Sequence, residues 1–126
     1  MCGAARYAFT GEPEIILNCH CTDCQKASGG QFATIIALRA EHFTSTGKLT
    51  FYDWRGSSGT LLRRGFCPIC GTTVFGYPPN PDVRNIWAGT LDDGDWVVPT
   101  LDHWLKSRKP WSVPLDTTEK CLDAFE

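Results

Sequence analysis

Leu61-Leu62-Arg63-Arg64-Gly65-Phe66-Cys67-Pro68-Ile69-Cys70-Gly71 is a strand-like segment that runs straight into a metal-binding turn. Two thiolates three positions apart can hold one ion if the backbone turns tightly between them. Pro68 presets φ for that turn and Gly71 permits a left-handed exit, so the pair Cys67 and Cys70 reads as a zinc knuckle. Two ligands make only half of a tetrahedral site. Cys2, which is also followed by glycine, is the natural third.

Similar short segments lie on both sides of the knuckle: Arg6 to Thr10, Ile15 to Asn18, Phe32 to Leu38, Leu49 to Arg55, Thr73 to Tyr77 and Arg84 to Gly89. Between them stand Gly11-Glu12-Pro13, Ser28-Gly29-Gly30, Gly56-Ser57-Ser58-Gly59, Tyr77-Pro78-Pro79-Asn80-Pro81 and Asp92-Asp93-Gly94, all rich in turn-forming residues. The chain is therefore expected to be mostly β and antiparallel, with helix limited to one or two turns at Thr22 to Ala27 and a short piece near Glu41. Pro110 to Glu126, with Trp111, Val113, Leu115, Leu122 and Phe125 apolar, is expected to pack along the sheets as irregular chain or a short helix.

The 126 residues suit one core, and a single domain over residues 1–126 is expected. A net charge of −2 gives no basic field to draw nucleic acid or anionic lipid. The longest apolar stretch, around Ala33 to Leu38, falls far short of the roughly 18 residues a membrane-spanning helix needs. Met1 to Tyr7 lack the features of a secretion signal, so the expected location is the cytoplasm, where thiols stay reduced. Seven cysteines at CxC and CxxC spacing then favour metal over disulfides, and any disulfide framework would leave one thiol over.

The second cysteine cluster is Cys19-His20-Cys21-Thr22-Asp23-Cys24. In extended chain, residues i and i+2 point the same way, so Cys19 and Cys21 can face one ion while Cys24 returns to it from the first helical turn and His20 points away. Three protein ligands with an open position is the pattern of catalytic zinc, whereas four closes a structural site. A soft exogenous thiolate would suit the open position. Two other readings are a site closed by Cys121, His42 or His103, and a redox pair of Cys21 and Cys24. The redox pair calls for a βαβ unit that this sequence lacks.

Further candidates are sparse. Ser28 and Gly29 could present a hydroxyl and backbone N–H groups to a peptide-like ligand, although a plain turn explains them too. Lys26 and Arg63 or Arg64 could meet carboxylates, and His103 could act as a base or sit between aromatics such as Trp104. Asp92 and Asp93 read first as a turn. Trp54, Trp87, Trp96, Trp104 and Trp111 suit a core or the rim of a cleft.

The order Cys2-Gly3-Ala4-Ala5-Arg6-Tyr7, Cys19 to Gly29, Phe66 to Gly71 and Ala88-Gly89-Thr90-Leu91-Asp92-Asp93, with His103-Trp104 and Lys109-Pro110-Trp111 after it, resembles the glutathione-dependent formaldehyde-activating enzyme family, which includes centromere protein V. The resemblance implies a β-tent fold, small antiparallel sheets meeting at an angle, with two zinc sites. Cys67 and Cys70 with Cys2 fall on the structural site, and Cys19, Cys21 and Cys24 on the site associated with substrate. The family pattern opens with CxC before Gly-Ala. Only its second cysteine, Cys2, has a counterpart here, so the expected structural site carries three cysteines.

The implied reaction joins glutathione to formaldehyde as S-hydroxymethylglutathione, a carbon–sulfur lyase step in reverse, with a thiol and an aldehyde as partners and zinc as the metal. The alternative is a noncatalytic zinc module that binds a protein partner. A chromatin or cytoskeletal role like that of centromere protein V is disfavoured by the lack of a basic tail. Neither composition nor motif sets the oligomeric state, a homodimer included.

Overall fold

The computed structural model describes residues 1–123. The strands are β1 (Arg6–Phe9), β2 (Ile15–Cys19), β3 (Ala33–Arg39), β4 (Phe43–Thr46), β5 (Thr50–Arg55), β6 (Leu61–Phe66), β7 (Thr73–Tyr77), β8 (Val83–Trp87), β9 (Leu101–His103) and β10 (Glu119–Lys120). One α-helix, α1 (Thr22–Ser28), follows β2, and a single 3-10 turn at Ala40–His42 occupies the place expected for the short helix near Glu41. The mostly β expectation holds. β4, β9 and β10 are not among the segments read from the sequence; β9 and β10, at three and two residues, are too short to show an alternating pattern.

β1 and β4 form a two-stranded sheet, while the other eight strands are hydrogen-bonded in the order β10-β9-β2-β3-β8-β7-β6-β5. The antiparallel expectation fails only at one edge. There β9 runs parallel to β2, from which residues 20–100 separate it, and to β10, to which residues 104–118 connect it; both connections are long enough to bring the chain back in the same direction.

Directly paired residues share a face of the sheet, which sorts the core into two clusters. One face carries Ile36, Leu38, Ile86 and Phe75, and Tyr7, Phe9 and Phe43 of the small sheet pack onto it. Ile36 and Ile86 are fully buried there, each contributing about 1.5 to 3 kcal/mol through removal of its side chain from water. The opposite face carries Leu17, Cys19, Ala33, Ile35 and Leu101, with Cys21, Cys24 and Trp87 packed against them.

This second face is strongly curved. β5 lies five steps from β2 in the strand order, which in a flat sheet would separate them by about 24 Å. Yet Trp54 Nε1 on β5 donates to Asp23 Oδ2 on α1, immediately after β2, at 3.0 Å. The sheet therefore curls until the β5–β6 hairpin meets the helix, leaving Trp87 of β8 on the concave side. Residues 111–123 are irregular apart from β10, and Phe125 lies outside the described residues.

Candidate metal centre

β2 ends on Cys19, and Cys21 caps the helix that follows. Cys21 is extended (φ −60, ψ 152), and its Sγ accepts from the Cys24 backbone N–H at 3.2 Å. A sulfur thus takes the part usually played by a Ser or Asp oxygen. That cap draws Cys24 back beside Cys21, and the Sγ atoms of Cys19, Cys21 and Cys24 all lie within 4.8 Å of one another. His20 points away, as the alternation requires. Its ring is fully buried and pairs through Nε2 with Asp102 Oδ1 at 2.8 Å.

Three thiols packed this closely cannot all ionise unaided. The thiols of Cys19 and Cys24 hydrogen-bond to Cys21 and pull it down to about 3. The hydrogen bond with Cys21 pushes Cys19 up to about 12, aided by burial. Cys24 is raised by its hydrogen bonds to Cys19 and Cys21 and by burial. A dication among the sulfurs removes this conflict by stabilising three thiolates together. Zinc–sulfur bonds of ~2.3 Å in a tetrahedron place sulfurs ~3.8 Å apart, a spacing that this cluster accommodates. The donor set therefore fits zinc.

The second triad is Cys2, Cys67 and Cys70, also with Sγ atoms within 4.8 Å of one another. Cys67 N–H donates to Thr72 O at 2.9 Å and Gly71 N–H to Cys67 O at 2.8 Å, closing the knuckle, with Gly71 left-handed at φ 74. Cys2 Sγ lies 3.5 Å from Cys67 Sγ. The Thr72 hydroxyl and amide, with the Cys2 amide, hold Cys70 down to about 5. Cys67 is buried, whereas Cys2 is exposed at a groove of about 880 Å³ lined by Arg6, Tyr7, Thr72, Asp92 and Trp96. A groove of this size thus adjoins this triad, whereas the sequence pattern points to the other triad for substrate.

No fourth Cys, His, Asp or Glu joins either triad among the described residues. Of the proposed closers, Cys121 Sγ donates to Asp123 O at 3.0 Å, and His42 lies 3.8 Å from Glu41. His103 pairs with Cys19 across the β2–β9 ladder, and burial lowers its pKa against the opposing charge of Cys21. Ser28 and Gly29 close the helix: the Ser28 hydroxyl donates to Phe32 O at 3.0 Å, and Gly29 is left-handed and donates to Gln25 O. Lys26 is exposed. Asp92 is engaged by Arg6, and Asp93 O accepts from Trp96 Nε1 at 3.0 Å.

No sequence motif marks the support behind the Cys19 triad. Asp102, fully buried, accepts from Asn18 at 3.3 Å and Lys120 at 3.2 Å as well as from Thr118, and pairs with His20. Burial pushes its carboxyl upward, but hydrogen bonds from Thr118, His20, Lys120 and Asn18 outweigh this and keep its pKa below the usual carboxylate value. Gln25, next to Cys24, donates to His20 O at 2.6 Å and Ser107 O at 3.0 Å. A buried Asp flanked by Leu101 and His103 on a three-residue strand has no periodic pattern to mark it.

Among curated proteins, none matches the chain. A crystal structure of a Rhodobacter sphaeroides protein is similar in fold, with 20% identity and a TM-score of 0.56 over 78% of this chain and 86% of that one. The model of the family described as glutathione-dependent formaldehyde-activating enzyme matches residues 1–107, which include both cysteine triads, and the chain belongs to that family.

Proposed function

We propose that the Cys19, Cys21 and Cys24 centre binds zinc and receives glutathione, promoting its addition to formaldehyde or a related electrophile in a reducing cytoplasm. The observation that carries this reading is a triad of sulfurs within 4.8 Å of one another that no fourth protein ligand joins among the described residues. Such a donor set suits an exchangeable position.

When bound, zinc would supply a Lewis-acid site that favours the thiolate form of an incoming sulfur. The chain's own residues fix the geometry. The Cys21 cap sets the first helical turn, Gln25 ties that turn to the His20 and Ser107 carbonyls, and Asp102 holds the His20 ring behind it. In the reaction, the thiol sulfur forms a bond to the aldehyde carbon while the carbonyl π bond breaks. The thiol proton ends on the new hydroxyl oxygen, so that glutathione and formaldehyde together give S-hydroxymethylglutathione.

Calorimetric titration of zinc-loaded protein with glutathione tests the reading. Saturable binding is expected, lost in Cys24→Ser with the circular dichroism spectrum kept. Absence of saturable binding to the parent protein would overturn it.

A further inference from the structure

The concave face in front of the Cys19 triad carries two buried hydrogen-bond donors with no acceptor among the described residues. Nε of Arg64 and Nε1 of Trp87 are shut off from solvent, and no described residue accepts a hydrogen bond from either. Buried donors of this kind are uncommon, and each costs its full desolvation unless something outside the chain accepts from it.

The register puts both on one face. Trp87 pairs with Ile35, and Ile35 with Leu17, in the cluster that also holds Cys19. Two residues back along β8, Asn85 pairs with Gly76, Gly76 with Arg64, and Arg64 with Tyr52. Alternation along β8 keeps Asn85 and Trp87 on the same side, and the Trp87 ring lies over Gly76, where an added Cβ would come within 3.4 Å of it. Trp87 therefore stands between the cysteine triad and Arg64.

Arg64 and Arg63, indistinguishable by sequence, have opposite roles. Arg63 faces the other side and is occupied by Asp53 through Nε at 2.6 Å and Nη2 at 2.8 Å. Arg64 has no such carboxylate among the described residues. Its guanidinium sits 6.0 Å from the Tyr52 ring centre and 5.9 Å from that of Trp54, two rings stacked on each other. Trp54 is in turn fixed to Asp23, the residue before Cys24. A guanidinium positioned by aromatic stacking with an Nε–H still unused is preorganised for a planar anion.

We propose that Arg64, with Trp87, forms the carboxylate-recognition site for the thiol whose sulfur is received at Cys19, Cys21 and Cys24. This rests on the thiol-binding reading of that centre. Arg64 takes the ligand's carboxylate, and Trp87 donates to an oxygen nearer the sulfur, the two strand positions being roughly 10 Å apart across β7. The ligand class is a thiol with a carboxylate several bonds from sulfur, so a bare thiol is held by the metal alone.

The experiment uses the full chain loaded with cobalt, whose thiolate charge-transfer absorption reports a new sulfur ligand. The probes are glutathione, S-methylglutathione and 2-mercaptoethanol. Arg64→Gln should weaken glutathione by about tenfold or more and leave the 2-mercaptoethanol midpoint unchanged. Arg64→Lys should not restore it, since an ammonium lacks the Nε–H and the planar fork. Trp87→Phe, which keeps an aromatic ring but lacks the indole N–H, should weaken glutathione by about threefold to tenfold.

Equal glutathione midpoints in the parent and Arg64→Gln proteins would overturn the Arg64 site and leave the thiol reading standing. So would equal weakening of both thiols. Conversely, S-methylglutathione binding that depends on Arg64, with no spectral response to any free thiol, would uphold the carboxylate site and sink the thiol reading. Failure of the parent protein to bind any of the three probes overturns both.

Discussion

The two cysteine triads use the same atoms at the same spacing, yet they are built in opposite ways. Cys19, Cys21 and Cys24 lie within six residues, and one strand end and one helix cap arrange them before any distant contact is needed. Cys2 reaches Cys67 and Cys70 across 65 residues of chain, so that triad exists only when the N-terminal segment has docked on the knuckle. A local cluster can lose its metal and keep its backbone. A cluster that joins distant segments loses a tie between them.

The difference should show most strongly when one ligand is removed from each. Cys67→Ser removes a buried member of the long-range triad, and metal at such a site contributes directly to folding, by roughly 10 kcal/mol or more in zinc-finger peptides. The expected outcome is loss of a cooperative thermal transition or insoluble protein. Cys24→Ser should keep a cooperative transition and bind about one zinc fewer by metal analysis. If Cys24→Ser unfolds the chain and Cys67→Ser does not, the two roles are reversed.

Next in size is the support behind the local triad. Asp102→Ala would strip the partner from fully buried His20 and from Asn18 and Thr118, at a cost of about 3 kcal/mol. Urea denaturation measures it. The pH dependence has a definite sign. The folded-state pKa of Asp102 is depressed, so its contribution is present above the unfolded value of about 3.9 and is lost as pH falls through the lower folded value. The variant's stability should therefore converge on that of the parent protein in acid. A constant gap down to strongly acidic pH would count against the carboxylate as the stabilising form.

What the sequence made legible follows the same division. The Cys19 triad, its inward Cys19 and Cys21 and its outward His20 could be read from a period of two followed by a helical turn, because all the geometry is local. The knuckle was legible for the same reason, and Gly71 is left-handed as its position demands. Asp102 and the parallel β9 were not, since a three-residue strand carries no period and its partner β2 is more than eighty residues away. Arg64 could be named but not told from Arg63, because only the register and the curl of the sheet assign one to Asp53 and the other to the concave face. The groove beside Cys2 is likewise formed by distant segments, and no motif marks it.

The smallest effect compares one glycine beside each triad. Gly71 (φ 74) follows Cys70, and Gly29 (φ 69) ends the helix whose first turn carries Cys24; an added Cβ would meet nothing within 4 Å at either place. Alanine at each position therefore pays only the left-handed backbone strain, about 1 kcal/mol, and each variant should lose about 4 °C in Tm. The consequences for metal should differ. At Gly71 the strain falls within the turn whose N–H bonds Cys67 O, so the ligands themselves must shift and zinc should pass to a chelator faster. At Gly29 it falls at the far end of α1, where fraying of the last turn leaves the Cys21 cap on Cys24 in place. Chelator competition with Gly71→Ala and Gly29→Ala measures this directly, and faster zinc loss from Gly29→Ala would mean that the local triad depends on the whole helix and not on its first turn.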